Sequence, residues 1–309
     1  MSIAGKVGEK AFNLVENKEL LDKSTKIMGM LFPYAGLTKK ALDMYIADVE
    51  QSNMSSESKL IAVLDAKKTI KKLKNQKRIA EIAVETAKDN TDFTEQSGVN
   101  QEWLERFMDS AGFVSDEAVQ LIWGKILGKE FERPGSTPSN MIRILSEITP
   151  VYAQAFKKIC SMQMLAIEVD ETDKITDSKK EVVVPYKRNE SKFDEIGLTF
   201  SIINELETLG LIKLKYLEDY ALNYVNTSHI VLFVDGEVWE TDEYGNVQVP
   251  CGNVMLTSAG ECLKEITPTE TIAGYSEWVK KYIQGHITLK KTASYRVSVD
   301  GNKIDCEKI

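Results

Sequence analysis

The side chains that most often bind metals or act as nucleophiles are few and scattered in this chain. Its two histidines, His229 and His286, have no cysteine or second histidine at close spacing, and a metal site requires such grouping. His229 precedes an apolar, strand-like run and fits a structural role. The carboxylates Asp170 and Asp173 lie in a polar segment without a rigid scaffold to hold a reactive geometry. We therefore predict no catalytic residues, no metal site, no cofactor and no small-molecule substrate, so the protein is not expected to be an enzyme.

Gly128 and Lys129 invite comparison with a phosphate-binding loop, in which a lysine and a hydroxyl residue follow a glycine. The loop counted from Gly124 is one residue too short for that motif, and Glu130 stands where the magnesium-binding hydroxyl residue belongs. The surrounding periodicity is helical. We reject a nucleotide site at this position.

The strongest local charge bias is a basic run between residues 67 and 78. Its seven members are Lys67, Lys68, Lys71, Lys72, Lys74, Lys77 and Arg78. Such a run usually forms the solvated face of a helix. The alternative is a contact with phosphate groups, either of nucleic acid or of anionic lipid. No aromatic residue lies within the run, so it lacks the base-stacking signature of single-strand binding.

The apolar segment 27–37 is a second candidate contact. One interpretation is a buried helix end and turn. The other is a segment that lies on a membrane or in a partner, with Phe32 and Tyr34 as anchors. The segment is too short to span a bilayer, which takes about 20 apolar residues.

Composition and charge place the chain among ordinary globular proteins, with 43% apolar and 28% charged residues. A net charge of −8 argues against a general nucleic-acid coat, which is usually basic. The four cysteines are scattered, which fits a reducing compartment. Acidic residues interrupt the first part of the chain, unlike a signal peptide. We expect a cytoplasmic protein.

The basic run requires an element to carry it, and residues 56–89 predict one long helix. Positions three and four apart form a line like a coiled-coil seam. They are Val63, Ala66, Ile70, Leu73, Lys77, Ala80, Val84 and Ala87. Lysine and alanine weaken this seam, so its partner is either an antiparallel helix of the same chain or a second copy.

The clearest helix signal spans residues 115–127. Ser115 or Asp116 can cap its first turn, and an apolar stripe that includes Trp123 follows at helical spacing. Pro134-Gly135-Ser136 ends the segment, because proline lacks an amide donor and glycine accepts unusual backbone angles. We expect Trp123 to anchor the core, and the alternative is a partner-binding residue.

Residues 101–160 carry a recognisable order of short motifs. The order is Glu102-Trp103-Leu104, Ser115-Asp116-Glu117, Trp123-Gly124-Lys125-Ile126-Leu127, Glu130 and Pro134-Gly135-Ser136. This order resembles the bacterial domain-of-unknown-function family numbered 2806, and a fainter similarity covers residues 193–266. A looser version of the pattern occurs in the alpha-type abortive-infection proteins. The family has no agreed catalytic residues, so the resemblance implies fold and context rather than a mechanism.

The C-terminal part changes to short helices and strands. A helix that Gly210 can close is followed by strand-like runs at 230–234 and 237–241. Asp235-Gly236 between them is a strong hairpin signal. A Leu-Thr-x-Ala-Gly segment at 256–260 is predicted to turn from strand to helix. This order resembles winged-helix folds.

We therefore predict a mainly α protein with an α+β C-terminal part, built from long N-terminal helices, a central helical unit and a winged-helix-like unit. The predicted segments are a helical arm (1–95), a central helical domain (96–165), a flexible excursion (166–192), a winged-helix-like domain (193–270) and a terminal helix with strands (271–309).

The missing catalytic constellation, the seam helix and the family resemblance together predict an interaction protein. We expect a protein partner or self-association, within a bacterial antiphage or abortive-infection response. One alternative is a winged-helix DNA-binding regulator, which is not favoured because Glu205 and Glu207 lie on the helix that would face phosphate. Another is a peripheral membrane effector that uses Phe32, Tyr34 and the basic run.

Overall fold

The structure is a computed structural model with two compact units, Met1–Glu147 and Ile148–Ile309. It describes residues 31, 39–88, 98–162, 164–169, 175–179, 183–184, 191–227, 229–241, 245–291, 295–300 and 303–308. Where it is described, the first unit is helical and the second combines helices with antiparallel sheets. The predicted class, mainly α with an α+β C-terminal part, is confirmed. The five predicted segments stay a prediction.

Capping residues mark where α3 and α4 of the first unit begin. The described helices are α1 (Lys39–Gln51), α2 (Ser56–Lys88), α3 (Gln101–Ala111), α4 (Glu117–Glu132) and α5 (Met141–Glu147). The side-chain oxygen of Asn100 accepts a hydrogen bond from the N–H of Trp103 at 2.9 Å. Asp116 accepts from the N–H of Val119 at 3.0 Å. Each bond satisfies an amide that has no partner within the first helical turn. Of the two predicted caps for α4, Asp116 is the one used.

Aromatic side chains of α3 and α4 form much of the first unit's core. The ring centroid of Phe107 lies 4.9 Å from that of Trp103 and 4.7 Å from that of Trp123. Trp123 is fully buried, and its indole N–H donates to the carbonyl of Leu145 at 3.1 Å. This bond ties α5 to α4 while the ring fills the core. The prediction that Trp123 anchors the core is confirmed.

The second unit alternates short helices and strands. Its described helices are α6 (Pro150–Ser161), α7 (Ser191–Glu195), α8 (Phe200–Leu209), α9 (Ser258–Lys264) and α10 (Tyr275–Gln284). Its described strands are β1 (Leu165–Val169), β2 (Ile175–Lys179), β3 (Val183–Val184), β4 (Ile212–Leu214), β5 (Ala221–Thr227), β6 (His229–Val234), β7 (Glu237–Thr241), β8 (Gly245–Pro250), β9 (Val254–Leu256), β10 (Leu289–Lys291), β11 (Tyr295–Asp300) and β12 (Lys303–Lys308).

The described strands form four antiparallel sheets, with the orders β10-β7-β6-β1-β2, β3-β9-β4, β5-β8 and β11-β12. Asp235 and Gly236 join β6 to β7 with φ angles of 48° and 81°. A two-residue hairpin turn with positive φ at both positions matches the twist of its strands, so the predicted hairpin is confirmed. The β11-β12 hairpin packs on the five-stranded sheet through the buried cluster Ile167, Val169, Val231, Tyr295 and Cys306.

The three-stranded sheet is fastened to α8 and α9 by one threonine. Helix α8 ends at Gly210, which has a left-handed φ of 84°, as predicted. The hydroxyl of Thr257 donates to the carbonyl of Gly210 at 2.6 Å and accepts from the N–H of Gly260 at 3.1 Å. A Cβ atom on Gly260 would lie 2.1 Å from the carbonyl oxygen of Leu211. The Leu-Thr-x-Ala-Gly segment therefore turns from β9 into α9, as predicted.

Candidate interaction surface

One line of side chains along α2 changes its surroundings halfway along the helix. Residues that follow one another at spacings of three or four lie on one face of a helix. The line that we call the α2 stripe consists of Glu57, Ile61, Leu64, Lys68, Lys72, Asn75, Ile79, Ile82 and Thr86. Its first four members are exposed, whereas Asn75, Ile79 and Ile82 are buried. Lys72 lies at the boundary and is partly buried.

Helix α4 covers the C-terminal half of the stripe at very short range. A Cβ atom on Gly124 would lie 2.4 Å from the Cβ of Ile82, and one on Gly128 would lie 2.8 Å from the Cβ of Thr86. The contacts advance in the same direction along both helices, so α2 and α4 run parallel. The two glycines lie one turn apart on α4 and let the two helices approach closely. Gly128 therefore serves helix packing.

The seam predicted for this helix lies on a neighbouring face. Its C-terminal members Ala80, Val84 and Ala87 are buried, whereas Lys77 is exposed. Within the described part of the chain, α2 packs against α1, α3 and α4. Self-association through this seam stays a prediction.

Three buried amide side chains mark the boundary between the two halves of α2. Asn75 donates to the carbonyl of Gly112 at 2.9 Å, and Gln76 donates to the carbonyl of Met108 at 2.8 Å. Gln120 of α4 donates to the side-chain oxygen of Asn75 at 3.3 Å. The first two bonds reach carbonyls at the end of α3: the Gly112 carbonyl lies just past its last turn, and the Met108 carbonyl also accepts from the N–H of Gly112. The end of α3 is thereby fixed against α2.

The N-terminal half of α2 carries large apolar side chains that face solvent. Leu60 and Ile61 are each 60% exposed, and Leu64 is 47% exposed. An open groove continues this surface toward α1, lined among others by Tyr45, Met54, Ser58, Ile61, Ala62 and Asp65. Contiguous exposed apolar side chains of this kind are typical of interaction surfaces.

Lys72 is the member of the basic run that is used in the fold. Its ammonium group lies 2.9 Å from the Asp109 carboxylate and 5.4 Å from the centroid of the Phe113 ring. Its aliphatic stem packs on Gly112, where a Cβ atom would lie 2.2 Å from the Lys72 Cγ. Lys72 therefore stabilises the contact between α2 and α3.

The other six basic residues are exposed. Lys68 lies 3.7 Å from Asp65 and Arg78 lies 3.8 Å from Glu81, both one turn apart along α2. The described ion pairs include none for Lys67, Lys71, Lys74 and Lys77. A phosphate contact for this run stays a prediction. The predicted anchors Phe32 and Tyr34 lie outside the described residues.

The carboxylate of Glu130 holds the loop that follows α4. It is buried and accepts hydrogen bonds from the N–H of Gly135 at 2.6 Å and of Thr137 at 2.9 Å. A carboxylate that accepts two backbone N–H bonds is well satisfied in a buried site. Glu130, one of the residues in the motif order that resembles the family, therefore has a structural role.

On α8 of the second unit, the exposed side chains are Ser201, Glu205 and Thr208. No lysine or arginine lies on this helix, whose residues are all described. The carboxylate of Glu207 accepts from the N–H of Leu214 and from the hydroxyl of Tyr216, each at 2.9 Å. The charge of α8 therefore offers no attraction to phosphate.

Among the described residues, the cysteine thiols and the His229 imidazole are buried or held by neighbouring side chains, whereas the His286 imidazole is exposed and lies beside the Tyr282 ring. All four cysteines are free and buried, and burial raises the pKa of the Cys160 thiol far above its ordinary value. The imidazole of His229 lies 3.3 Å from the Glu240 carboxylate and stacks on Tyr295. These contacts are those of a structural side chain.

In the described ranges of the chain, no three His, Cys, Asp or Glu side chains are grouped so that they could hold a metal ion. None of the helices described is both long and apolar enough to cross a membrane.

Sequence reasoning missed the two features that divide α2. The pair Gly124 and Gly128 carried a usable signal, because two glycines one turn apart on an apolar helix allow close helix packing. Asn75 and Gln76 carried none. Their burial depends on carbonyls of α3 that are distant in sequence.

A protein-family model with the description "Protein of unknown function (DUF2806)" matches residues 64–280, well over half of the chain. No curated protein and no solved structure matches the chain. The match begins at Leu64, so it includes the covered half of α2 and only part of the exposed half.

Proposed function

The chain belongs to the DUF2806 family, and we propose that it is a non-enzymatic interaction protein. Its partner, another protein or a second copy, binds the exposed N-terminal half of α2. The observation that carries this proposal is the exposure of Leu60, Ile61 and Leu64 on a helix whose other half is buried.

Burial of these side chains would favour association. Removing apolar surface from water contributes about 25 cal/mol per Å², or about 1.5–3 kcal/mol for a large aliphatic side chain that becomes fully buried. The C-terminal half of α2 is packed in the core, so the helix is ordered before a partner arrives. A preordered surface avoids part of the entropy cost of binding.

The non-enzymatic part of the proposal rests on the reactive groups. The cysteines are buried, Glu130 is bonded to Gly135 and Thr137, and His229 contacts Glu240. A catalytic group must reach a substrate with its polar atoms. In the described part of the chain, these groups hold the fold together instead.

The test combines three substitutions on α2, Leu60→Ser, Ile61→Ser and Leu64→Ser. Val225→Ser on β5 is the matched control, because Val225 is 69% exposed in the other unit. Size-exclusion chromatography with light scattering measures self-association, and affinity capture with mass spectrometry measures other partners. We expect the wild type and the control to bind and the triple variant to lose binding. A wild-type monomer without partners would contradict the proposal.

We further propose that this interaction serves a bacterial antiphage or abortive-infection response. The support is the resemblance of residues 101–160 to the alpha-type abortive-infection proteins. Phage plating on cells that express the wild type or the triple variant tests this context. We expect protection with the wild type and its loss with the variant, and equal plating in both would contradict the proposal.

The second candidate function is DNA binding by a winged-helix-like second unit. The observation that favours it is the sheet order β3-β9-β4, with α8 leading directly into β4 and packed against it. The acidic surface of α8 disfavours it. A salt-dependent mobility shift of labelled duplex DNA at physiological ionic strength would place this function ahead of protein binding.

The third candidate is a peripheral membrane effector that uses the basic run with Phe32 and Tyr34. Lys67, Lys71 and Lys74 are exposed and share one face of α2, which favours contact with anionic lipid. Flotation with vesicles that contain phosphatidylserine tests it. Failure to float would remove this candidate.

A further inference from the structure

We infer that the exposed half of α2 pairs with the same segment of a second copy, antiparallel, about a two-fold axis between Ala62 and Val63. This inference rests on the proposed function and specifies the partner of that surface. Its basis is the order of charges along the α2 stripe.

The exposed part of the stripe reads acidic, apolar, apolar, basic. Its members are Glu57, Ile61, Leu64 and Lys68. In an antiparallel pair with the axis at its centre, Ile61 of each copy faces Leu64 of the other. Glu57 of each copy then faces Lys68 of the other. The result is an apolar centre with a charge pair at each end, which is self-complementary as a two-fold interface requires.

A parallel pair is disfavoured by the same four residues. It would place Glu57 opposite Glu57 and Lys68 opposite Lys68, and like charges that face each other are unfavourable. The ion pair of Lys68 with Asp65 is long and exposed, so it offers little resistance to the new pairing.

The structure also limits the register of the pair. A pairing shifted toward the C-terminal end of α2 would need Lys72 and Asn75 as contact residues. Lys72 is already paired with Asp109, and Asn75 is already hydrogen-bonded to the Gly112 carbonyl. Leu60 lies beside the apolar centre and extends it on one side, since it neighbours Ile61 and is one turn from Leu64.

The pair should be weak and sensitive to salt. The segment 57–68 is roughly 16 Å long at 1.5 Å per residue, so the contact falls short of the roughly 1,200 Å² expected of a stable interface. The exposed charge pairs are screened by added salt. We expect a dimer whose population rises with protein concentration and falls with ionic strength.

Disulfide cross-linking tests the arrangement directly. All four native cysteines are buried, so a cysteine introduced on the stripe is the accessible thiol. We mix chains carrying Ile61→Cys with differently tagged chains carrying Leu64→Cys under mild oxidation. The antiparallel pair predicts a mixed disulfide in clear excess over either same-position disulfide. Val225→Cys is the control for random collision.

Charge reversal provides a second, independent measurement. Glu57→Lys alone should weaken dimerisation about tenfold, since the two-fold axis repeats the lost pair. Glu57→Lys combined with Lys68→Glu should restore it. Failure of the double variant to recover the wild-type dissociation constant would overturn the proposed register.

The possible outcomes separate this inference from the proposed function. Same-position disulfides in excess, or cross-linking no greater than that of the control, overturn the antiparallel pair. If the wild type nevertheless binds another protein through α2 and the triple serine variant does not, the proposed function survives. If the wild type binds neither itself nor another protein, both are overturned.

Discussion

The two halves of α2 share one continuous helix and one stripe, yet they have opposite surroundings. Ile79, in the C-terminal half, is fully buried, whereas Ile61, on the same stripe, is 60% exposed. The pattern of α2 itself does not create this difference. It arises because α3 and α4 cover α2 only from about Lys72 onward. An apolar stripe indicates that some protein surface covers it. Whether that surface belongs to the same chain depends on where the neighbouring helices lie.

The largest expected effect on stability comes from a comparison in which one isoleucine is truncated in each half of α2. Ile79→Ala should lower the free energy of unfolding by about 2–5 kcal/mol, since it removes packed atoms and leaves a cavity. Ile61→Ala should change it by less than about 0.5 kcal/mol, as is usual at exposed sites. Urea unfolding is monitored by the hydrogen exchange of peptides from α4, so that the free energy of unfolding obtained is that of the first unit. Equal effects at both positions would show that the two halves are not distinct.

The next effect tests how closely α4 approaches α2. Gly124→Ala should lower the stability by about 1–3 kcal/mol, because a Cβ atom would lie 2.4 Å from the branched Cβ of Ile82 and one of the helices must shift. Gly98→Ala is the matched control, since no atom lies within 4 Å of its added Cβ. The same unfolding measurement applies. A stability gain at Gly124 would contradict the close packing that separates the covered half from the exposed one.

Features that depend on a few neighbouring residues were predictable from the sequence. The side chain of Asp116 caps α4 by accepting from the backbone N–H three residues later, and Gly210 ends α8 because its own φ is left-handed. Asp235-Gly236 sets the β6-β7 turn by backbone angles alone. In each case the physical cause lies within about four residues of the signal.

Features that depend on distant partners were not predictable. The sequence did not reveal the strand β5, because it exposes polar residues such as Asn223. Its position depends on its pairing with β8, in which Tyr224 lies opposite Val247. The division of α2 is of the same kind. The candidate surface on Leu60, Ile61 and Leu64 is recognisable only after the position of α4 is known, since the local periodicity is helical on both sides of Lys72.

A smaller effect should appear at the boundary between the halves. Asn75→Ala removes the donor for the Gly112 carbonyl and should cost about 1–2 kcal/mol, because a buried acceptor is left unsatisfied. Gln101→Ala, which removes an exposed side-chain bond to Glu105, should be nearly neutral. Thermal unfolding of the two variants checks the difference. A neutral Asn75→Ala would mean that the amides do not fix α3 on α2.

The smallest effect distinguishes two adjacent lysines and locates the edge of the covered half. Lys72→Gln should lower the stability by less than about 1 kcal/mol, since its pair with Asp109 is only partly buried. Lys71→Gln should have no measurable effect, because Lys71 is exposed and the described contacts include no ion pair for it. Urea unfolding at low and high salt checks both, and the Lys72 effect should shrink at high salt as the pair is screened. If Lys71→Gln were instead the more damaging change, Lys71 would contact a part of the protein outside the covered half. The exposed surface proposed to bind a partner would then cover less of α2 than the segment 57–68 with its flanking residues.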